Sequence, residues 1–304
     1  KGMFIKEIDK INFLREQCKE ENPYYLALAE TWLKDGILES EYTISGYEHV
    51  ASHRKNRDGG GVIIYIREDI TYNILTAVSD EMCSMVAVHL TKLNLIIFLA
   101  YRPPPNHKNN YHGDTLEGSF KDIITDNIRK EINKYKTPTP DILLMGDFNF
   151  PSAKWNAGIG VVKPDSKCNR NSLQQLIDIA SDYSLLQYLS EGTRETRSGG
   201  NNILELIFTN NHELITSINL QPSKITDHKY IICEISYRLP INDTQYISKN
   251  DTNLSSYNYE TANWKNIKAR LKEINWPEIL TNYDSSEEKL KIILEIVVKI
   301  IEEN

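Results

Sequence analysis

Short apolar runs separated by polar segments form the main pattern of this chain. Such runs, bounded by turn-forming residues, predict strands, and they lie at 24–29, 42–50, 62–66, 70–78, 83–90, 94–100, 141–145, 185–189, 203–209, 216–220 and 231–235. Apolar positions repeat with helical spacing at 5–21, around 115–135, at 171–184, from 257 onwards and at 286–303. Strands that alternate with long connections, with hairpins between some of them, predict a layered α/β protein with mixed sheets.

A polar, irregular stretch separates the strand-rich part of the chain from its helical end. We interpret 239–256 as a linker between a domain at 1–238 and helices at 257–304. No apolar run approaches the roughly 20 residues needed to cross a membrane, so we expect a soluble protein with no membrane partner. The four cysteines are scattered without a C-x-x-C pair. This spacing argues against a disulfide framework or a zinc site and fits a reducing compartment.

Polar side chains follow several buried strands at the point where each strand ends. The central example is the run 141–145, which ends in Gly146 and is followed by Asp147 and Asn149. Their spacing of two residues points both side chains to the same side of the strand. Asp and Asn are also ordinary turn residues, so this pair alone fits a capped turn as well as a functional site.

Other apolar strands are flanked by polar residues in a similar way. These residues are Glu30, Tyr101, Arg102, Asp227 and His228. Glu205 differs from them because it lies inside the apolar run 203–209. A charge in such a run is costly unless it is paired, so the sequence predicts a partner for Glu205, most simply a cationic one.

These residue types together are suited to one kind of chemistry. Carboxylates that converge at one sheet edge make an oxygen-rich cage that suits Mg²⁺. A His beside a metal-site Asp can hold or protonate a phosphate oxygen, and a buried carboxylate behind that His can fix its tautomer. An Asp beside an Asn can orient and deprotonate an attacking water. The set therefore predicts metal-assisted phosphodiester hydrolysis.

The same residues resemble the endonuclease/exonuclease/phosphatase superfamily, and more closely the apurinic-like endonuclease domain of non-LTR (LINE-type) retrotransposons. The motifs that carry the resemblance are Glu30-Thr31-Trp32-Leu33, Tyr101-Arg102-Pro103-Pro104, Gly146-Asp147-Phe148-Asn149, Thr193-Arg194, Leu204-Glu205-Leu206-Ile207-Phe208-Thr209-Asn210 and Thr226-Asp227-His228. The resemblance covers 1–238, and the helical end resembles the connector that leads into a reverse transcriptase. It implies a four-layered α/β sandwich with two packed mixed β-sheets.

The resemblance also implies roles and partners. The implied roles are Mg²⁺ binding, with Mn²⁺ as an alternative, for Glu30 and Asp227, water activation for Asp147 and phosphate positioning for Asn149. Tyr101 and His228 would stabilise the developing charge, and Glu205 would pair with the catalytic His228. The family cuts one strand of double-stranded DNA and leaves a 3′-hydroxyl that primes reverse transcription. The implied partners are therefore DNA, the element RNA and the reverse transcriptase. The implied place of action is the nucleus, after synthesis in the cytoplasm.

Arginines in two Gly-rich loops, and one after the strand 94–100, are candidate DNA contacts. They are Arg54, Arg57, Arg102, Arg194 and Arg197. The first loop is not a phosphate loop, because a strand rather than a helix follows its three glycines. The net charge of −7 is a mild argument against nucleic acid as a partner, although net charge does not describe local patches.

Two features depart from the family pattern. An Asn-bearing first strand precedes the first helix in the family and is missing here, and position 205 is Glu where the family has Asp. We therefore expect Glu205→Asp to raise activity modestly. Two alternatives remain open: a same-fold phosphatase or phosphodiesterase acting on a small phosphorylated substrate, and an inactive domain retained for binding. The arginine-bearing loops favour DNA over a small substrate.

Overall fold

The computed structural model describes residues 8–54, 59–104, 116–136, 139–151, 153–155, 170–195, 201–223, 225–236, 263–281, 283 and 285–302. The chain forms two compact units, 1–239 and 240–304. The strands of the first unit are β1 (Tyr25–Ala29), β2 (Tyr47–Ser52), β3 (Val62–Arg67), β4 (Tyr72–Ser79), β5 (Ser84–Leu90), β6 (Leu95–Tyr101), β7 (Asp141–Asp147), β8 (Leu186–Gln187), β9 (Arg194–Glu195), β10 (Asn201–Asn202), β11 (Glu205–Thr209), β12 (Ile215–Gln221) and β13 (Tyr230–Ile235). Its helices are α1 (Ile8–Glu21), α2 (Leu116–Ser119), a π-helical turn at Phe120–Thr125, α3 (Asp126–Ile132) and α4 (Arg170–Asp182).

A six-stranded sheet in the order β4-β5-β6-β7-β11-β8 is the centre of the first unit. Strands β6 and β7 are parallel, and the other neighbours in this sheet are antiparallel. The parallel pair is possible because a long connection that includes α2 and α3 joins the two strands. Strands β6 and β7 therefore end at the same edge of the sheet, which brings Tyr101 opposite Asp147.

A second layer of antiparallel strands packs on one face of the six-stranded sheet. It consists of a sheet in the order β1-β3-β2 and the hairpin β12-β13. Side chains that alternate along the strands divide the core between the two faces of each sheet. The core between the layers contains Val62, Ile64, Val86, Val88, Ile97, Leu99 and Ile207.

Helices cover the two outer faces. The helical segment 116–132 and α4 pack on the other face of the six-stranded sheet, where the core includes Phe98, Phe120, Ile124, Leu144, Leu176 and Phe208. Helix α1 packs on the outer face of the β1-β3-β2 sheet, where the core includes Ile11, Leu14, Leu28, Ile63 and Tyr65. The order helix, sheet, sheet, helix confirms the predicted four-layered α/β sandwich. Mixed pairing is confirmed for the six-stranded sheet, while the described strands of the second layer pair only antiparallel.

The second unit contains three helices among its described residues. They are α5 (Trp264–Glu273), α6 (Trp276–Leu280) and α7 (Ser286–Glu302). The predicted linker lies entirely outside the described residues, so the interpretation of the helices as a connector stays a prediction. None of the helices in the described part of the chain is long and apolar enough to cross a membrane.

Candidate active site

The carboxyl end of β7 builds the centre of the site. Gly146 adopts a φ of +154°, and a Cβ atom on it would lie 1.9 Å from the carbonyl oxygen of Ala100, so only glycine fits there. The strand delivers Asp147 into a buried position, and the backbone then turns through Asn149, whose φ is +49°. The Asn149 backbone N–H donates to Asp147 Oδ1 at 3.3 Å. The backbone N–H two residues after Asp147 thus fixes the carboxylate through the shape of the turn.

Arg102 holds this turn from below. It is completely buried, and its Nη1 donates to the carbonyl oxygens of Phe148 at 3.3 Å and Asn149 at 3.0 Å. The Asn149 side chain returns a hydrogen bond from Nδ2 to the Arg102 carbonyl at 2.8 Å. The guanidinium carbon lies 4.4 Å from the ring centroid of Phe150. Arg102 therefore supports the site from inside, and its completely buried side chain does not offer the predicted DNA contact.

Tyr101 and Glu30 form a pair at the ends of β6 and β1. The Tyr101 hydroxyl donates to Glu30 Oε1 at 2.6 Å. Glu30 has a φ of +53°, which is uncommon for a residue with a side chain and is often found at functional sites. Burial, followed by the negative charge of Glu30, raises the pKa of Tyr101 far above its ordinary value. Tyr101 is consequently a protonated donor over the whole physiological pH range.

Glu205 and His228 form the second pair. Glu205 begins β11 and lies directly opposite Asp147 in the antiparallel register. Its Oε1 is hydrogen-bonded to His228 Nδ1, and the two side chains are only 17% and 18% exposed. Position 205 thus has the cationic partner that a charge inside an apolar run requires. The longer Glu side chain reaches His228, so this departure from the family pattern is accommodated in the fold.

The electrostatics of this cluster follow from burial and close charges. Burial alone lowers the pKa of His228. The hydrogen bond and charge of Glu205, together with the charge of Asp147, raise this pKa by more than burial lowers it, so the net pKa lies above its ordinary value. Burial raises the pKa of Asp147, and the charge of Glu205 adds to this effect. The site therefore contains a carboxyl that takes up a proton readily beside an imidazole that keeps one.

The cluster has the chemistry of a divalent-metal site. One ligand atom from each of Asp147, Glu205 and His228 lies within 4.8 Å of the others. Glu205 Oε2 is buried and has no hydrogen-bond partner among the described residues. A buried carboxylate oxygen without a donor is suited to a cation, so the residues present fit a metal ion.

Asp227 has a different neighbour from the one expected. The sequence predicts it beside Glu30 as a metal ligand, and the structure pairs it with Arg194. Arg194 donates from Nε at 3.1 Å and from Nη2 at 2.8 Å, both to Asp227 Oδ2. Burial would raise the pKa of Asp227, but the hydrogen bond and charge of Arg194 lower it below its ordinary value. Metal binding by Glu30 and Asp227 stays a prediction.

The remaining predicted arginines fall into two groups. Arg54 is buried, donates from Nε to the Gly59 carbonyl at 2.7 Å, and lies with its guanidinium carbon 5.7 Å from the Tyr101 ring centroid. It therefore supports Tyr101, and its buried side chain does not offer the predicted DNA contact. Arg57 and Arg197 lie outside the described residues. Among the predicted DNA-contacting arginines that the structure describes, only Arg194 has a partly exposed side chain. Contact between Arg194 and DNA stays a prediction.

The supporting roles of Arg54 and Arg102 are not evident from the motifs. A signal for Arg54 exists in the three glycines that follow it. A Cβ atom on Gly60 would lie 2.3 Å from Arg54 Nε, and one on Gly61 would lie 2.7 Å from Thr31 Oγ1. The glycines allow the loop to pack closely against the buried Arg54 guanidinium and Thr31. This packing explains why three glycines occur in a loop that is not a phosphate loop.

A family model described as endonuclease-reverse transcriptase matches residues 95–232, which contain most of the site. The fold is also similar to solved structures. An AP endonuclease from Archaeoglobus fulgidus is 12% identical with a TM-score of 0.52, over 77% of this chain and 96% of that chain. The endonuclease domain of TRAS1, a telomere-specific non-LTR retrotransposon, is 15% identical with a TM-score of 0.51, over 79% and 96%. An AP endonuclease from Leishmania major is 13% identical with a TM-score of 0.53, over 75% and 84%.

The family-model match to residues 95–232 and the fold shared with these solved structures support the predicted resemblance to the endonuclease/exonuclease/phosphatase superfamily. The predicted resemblance is thus confirmed, together with the predicted class, a hydrolase of this superfamily. No curated protein is recognisably similar to the chain in sequence. Identities of this size to the solved structures establish the fold and leave substrate and reaction to be argued from the site.

Proposed function

We propose that this protein is a metal-dependent DNA endonuclease that nicks one strand and leaves a 3′-hydroxyl. The observation that carries the proposal is the cluster of Asp147, Glu205 and His228 beside the Tyr101–Glu30 pair. It combines a candidate base and a phenol donor, at the carboxyl ends of the neighbouring strands β7 and β6, with an imidazole held by Glu205 in the loop before β13. These three kinds of group can together assist the hydrolysis of a phosphodiester.

Each residue has a role that follows from its contacts. Asp147 orients the attacking water and accepts its proton, and a raised pKa suits a base that works near neutral pH. His228, held by Glu205, donates to a phosphate oxygen as negative charge develops on it. Tyr101 donates to the same phosphate group when the substrate displaces its contact to Glu30.

The residues also support a divalent metal ion. Glu30 and Asp227 are the proposed ligands for Mg²⁺, with Mn²⁺ as an alternative, and the carboxylates of Asp147 and Glu205 offer further oxygen donors. When bound, the ion neutralises charge on the scissile phosphate and polarises it.

DNA is the proposed substrate. Solved structures with the same fold include the endonuclease domain of a non-LTR retrotransposon and a Neisseria 3′ phosphatase bound to a product DNA hairpin. Arg194 adds a cationic group, 33% exposed, on the β9-β10 hairpin beside the cluster. By the same reasoning we propose that the nick primes reverse transcription of an element RNA by a reverse transcriptase in the full-length chain. That reaction requires action in the nucleus, after synthesis in the cytoplasm.

A plasmid assay tests the proposal. The full chain is incubated with supercoiled plasmid and Mg²⁺, with Mn²⁺, and with EDTA, and nicked circles are counted. We expect nicking with either metal and none with EDTA, and we expect a DNA polymerase to extend the nicks directly because they carry 3′-hydroxyls. Hydrolysis of p-nitrophenyl phosphate without nicking would instead favour a phosphatase. Absence of both activities would favour an inactive binding domain.

A further inference from the structure

Thr193, directly before β9, makes an unusual number of hydrogen bonds for one buried residue. Its Oγ1 accepts the backbone N–H groups of Leu204 at 3.0 Å and Glu205 at 3.3 Å. Its own backbone N–H donates to the Asn202 carbonyl at 2.9 Å, and its carbonyl accepts from the Lys229 N–H at 2.8 Å. The side chain has no solvent exposure.

These bonds connect the two chain segments that carry the Glu205–His228 pair, which we call the acid pair. Glu205 begins β11, and His228 precedes Lys229 in the loop before β13. The two residues are 23 positions apart, and their side chains meet in the hydrogen bond between Oε1 and Nδ1. Thr193 binds the backbone of the first segment through its hydroxyl and the backbone of the second through its carbonyl. The next residue, Arg194, forms an isolated antiparallel bridge with His228.

We infer that Thr193 is a positioning residue for catalysis, whose hydroxyl sets the distance between Glu205 and His228. The β9 segment therefore contributes to the chemistry as well as to any contact with DNA. The inference rests on the proposed function only for its rate measurement.

The hydroxyl is the group that matters in this geometry. Valine has nearly the same shape as threonine and would fill the same volume, but it cannot accept a hydrogen bond. The N–H groups of Leu204 and Glu205 would then lack this acceptor, and the backbone would shift until they find another. A displacement of about 1 Å in a catalytic group can lower a rate about 100-fold.

Strand β11 offers a matched control at its other end, remote from Glu205. Thr209 ends β11, is also completely buried, and its Oγ1 accepts a single backbone N–H, from Asn211 at 3.1 Å. Thr209→Val therefore removes a buried hydroxyl that accepts a backbone N–H, at the end of β11 remote from Glu205. It controls for the loss of a buried acceptor without touching the acid pair.

The experiment compares full-length Thr193→Val, Thr193→Ser and Thr209→Val with wild type in single-turnover cleavage of one defined duplex. We expect Thr193→Val to cut about 100-fold more slowly at saturating protein, with duplex affinity changed less than about threefold. Thr193→Ser keeps the hydroxyl and should restore the rate to within about threefold of wild type. Thr209→Val should cut at the wild-type rate. Should Thr193→Val not fold, Thr193→Ala removes the same acceptor and serves in its place.

A second readout does not depend on activity. In ¹⁵N-histidine-labelled protein, the Nδ1–H proton of His228 that is bonded to Glu205 gives a downfield resonance, assigned by its loss in His228→Gln. We expect this resonance in wild type, Thr193→Ser and Thr209→Val, and its loss or upfield shift in Thr193→Val. Equal rates for Thr193→Val and Thr209→Val, or an unchanged His228 resonance in Thr193→Val, would overturn the inference. A wild-type chain that cuts no DNA overturns the proposed function instead, and the resonance still tests Thr193.

Discussion

Replacing Glu205 by Gln tests the acid pair most directly. The substitution keeps the size and hydrogen-bonding shape of the side chain and removes its charge. In the structure Glu205 Oε1 bonds to His228 Nδ1, so a glutamine can still accept from the ring but no longer stabilises the imidazolium. The pair is therefore weakened in its electrostatics while its geometry is preserved.

The magnitude follows from the burial of the pair. Both side chains are less than one-fifth exposed, so solvent screens their interaction little. A hydrogen bond to a charged group contributes about 1.5–3 kcal/mol. With about 1.4 kcal/mol for each tenfold change in rate, Glu205→Gln should lower single-turnover cleavage about 10- to 150-fold. The observed contact also revises the expectation for Glu205→Asp: shortening the side chain by about 1.5 Å withdraws the carboxylate from His228, so the rate should fall rather than rise.

The assay is single-turnover cleavage of one duplex by the three proteins across pH. Burial lowers the pKa of His228 and Glu205 raises it, so removal of the Glu205 charge must lower it. Activity that requires protonated His228 falls as pH rises through this pKa, and in Glu205→Gln this fall should occur at lower pH than in wild type. For stability, a raised folded pKa stabilises the protein fully below the unfolded value of about 6.5 and loses this effect as pH rises through the folded pKa. Identical rates for all three proteins at every pH would show that Glu205 does not act through His228.

Three further predictions test other parts of the site. Asp147→Asn and His228→Ala should each lower nicking at least about 100-fold while the melting temperature stays close to that of wild type, which circular dichroism measures; wild-type cutting by both would refute the site. Replacing Arg194 and Arg197 with Ala should weaken cutting. It should also flatten the slope of log rate against log salt concentration, because fewer phosphate charges are neutralised. An unchanged slope and cleavage pattern would count against DNA contact. Extending the chain by an amino-terminal strand should raise both the melting temperature and the nicking rate. The reason is that β1 and β13 each pair with only one neighbouring strand among the described residues. Equal melting temperatures and nicking rates for the short and extended chains would contradict this.

Periodicity predicted most of the fold because the strongest signals come from elements that are buried on both faces. Strands β3, β6 and β7 have nearly continuous apolar sequences and lie where predicted, with β6 at Leu95–Tyr101 and β7 at Asp141–Asp147. The weak strands were found less well. The run 185–189 forms only the two-residue β8, and β9 and β10 lie in a stretch whose polar sequence predicts a loop. Such strands are stabilised by their neighbours, which a local pattern cannot contain.

The sequence predicts which polar residues gather near Asp147, but it does not predict how they pair. Chain order and strand ends placed Asp147 and Tyr101 at one sheet edge, and the cost of a buried charge required a partner for Glu205. The pairing of Asp227 with Arg194 depends instead on the path of the β9-β10 hairpin, which no periodicity determines. Side-chain partners across distant segments are set by tertiary packing, and this is why the ligand role assigned to Asp227 needs an experiment.

The arginines show most clearly where charge alone misleads. Five of them were candidates for DNA because a basic residue in a Gly-rich loop or after a strand end is usually exposed. Arg102 is instead completely buried under the turn at Asn149, and Arg54 packs behind Tyr101. A buried guanidinium is costly unless its donors are used, and here both arginines donate to backbone carbonyls. Arg102 thus fixes the turn that follows Asp147, while Arg54 binds the Gly59 loop and lies beside the Tyr101 ring. Among the candidate arginines that the structure describes, Arg194 has the most exposed side chain, and we propose that it exchanges Asp227 for a phosphate of DNA.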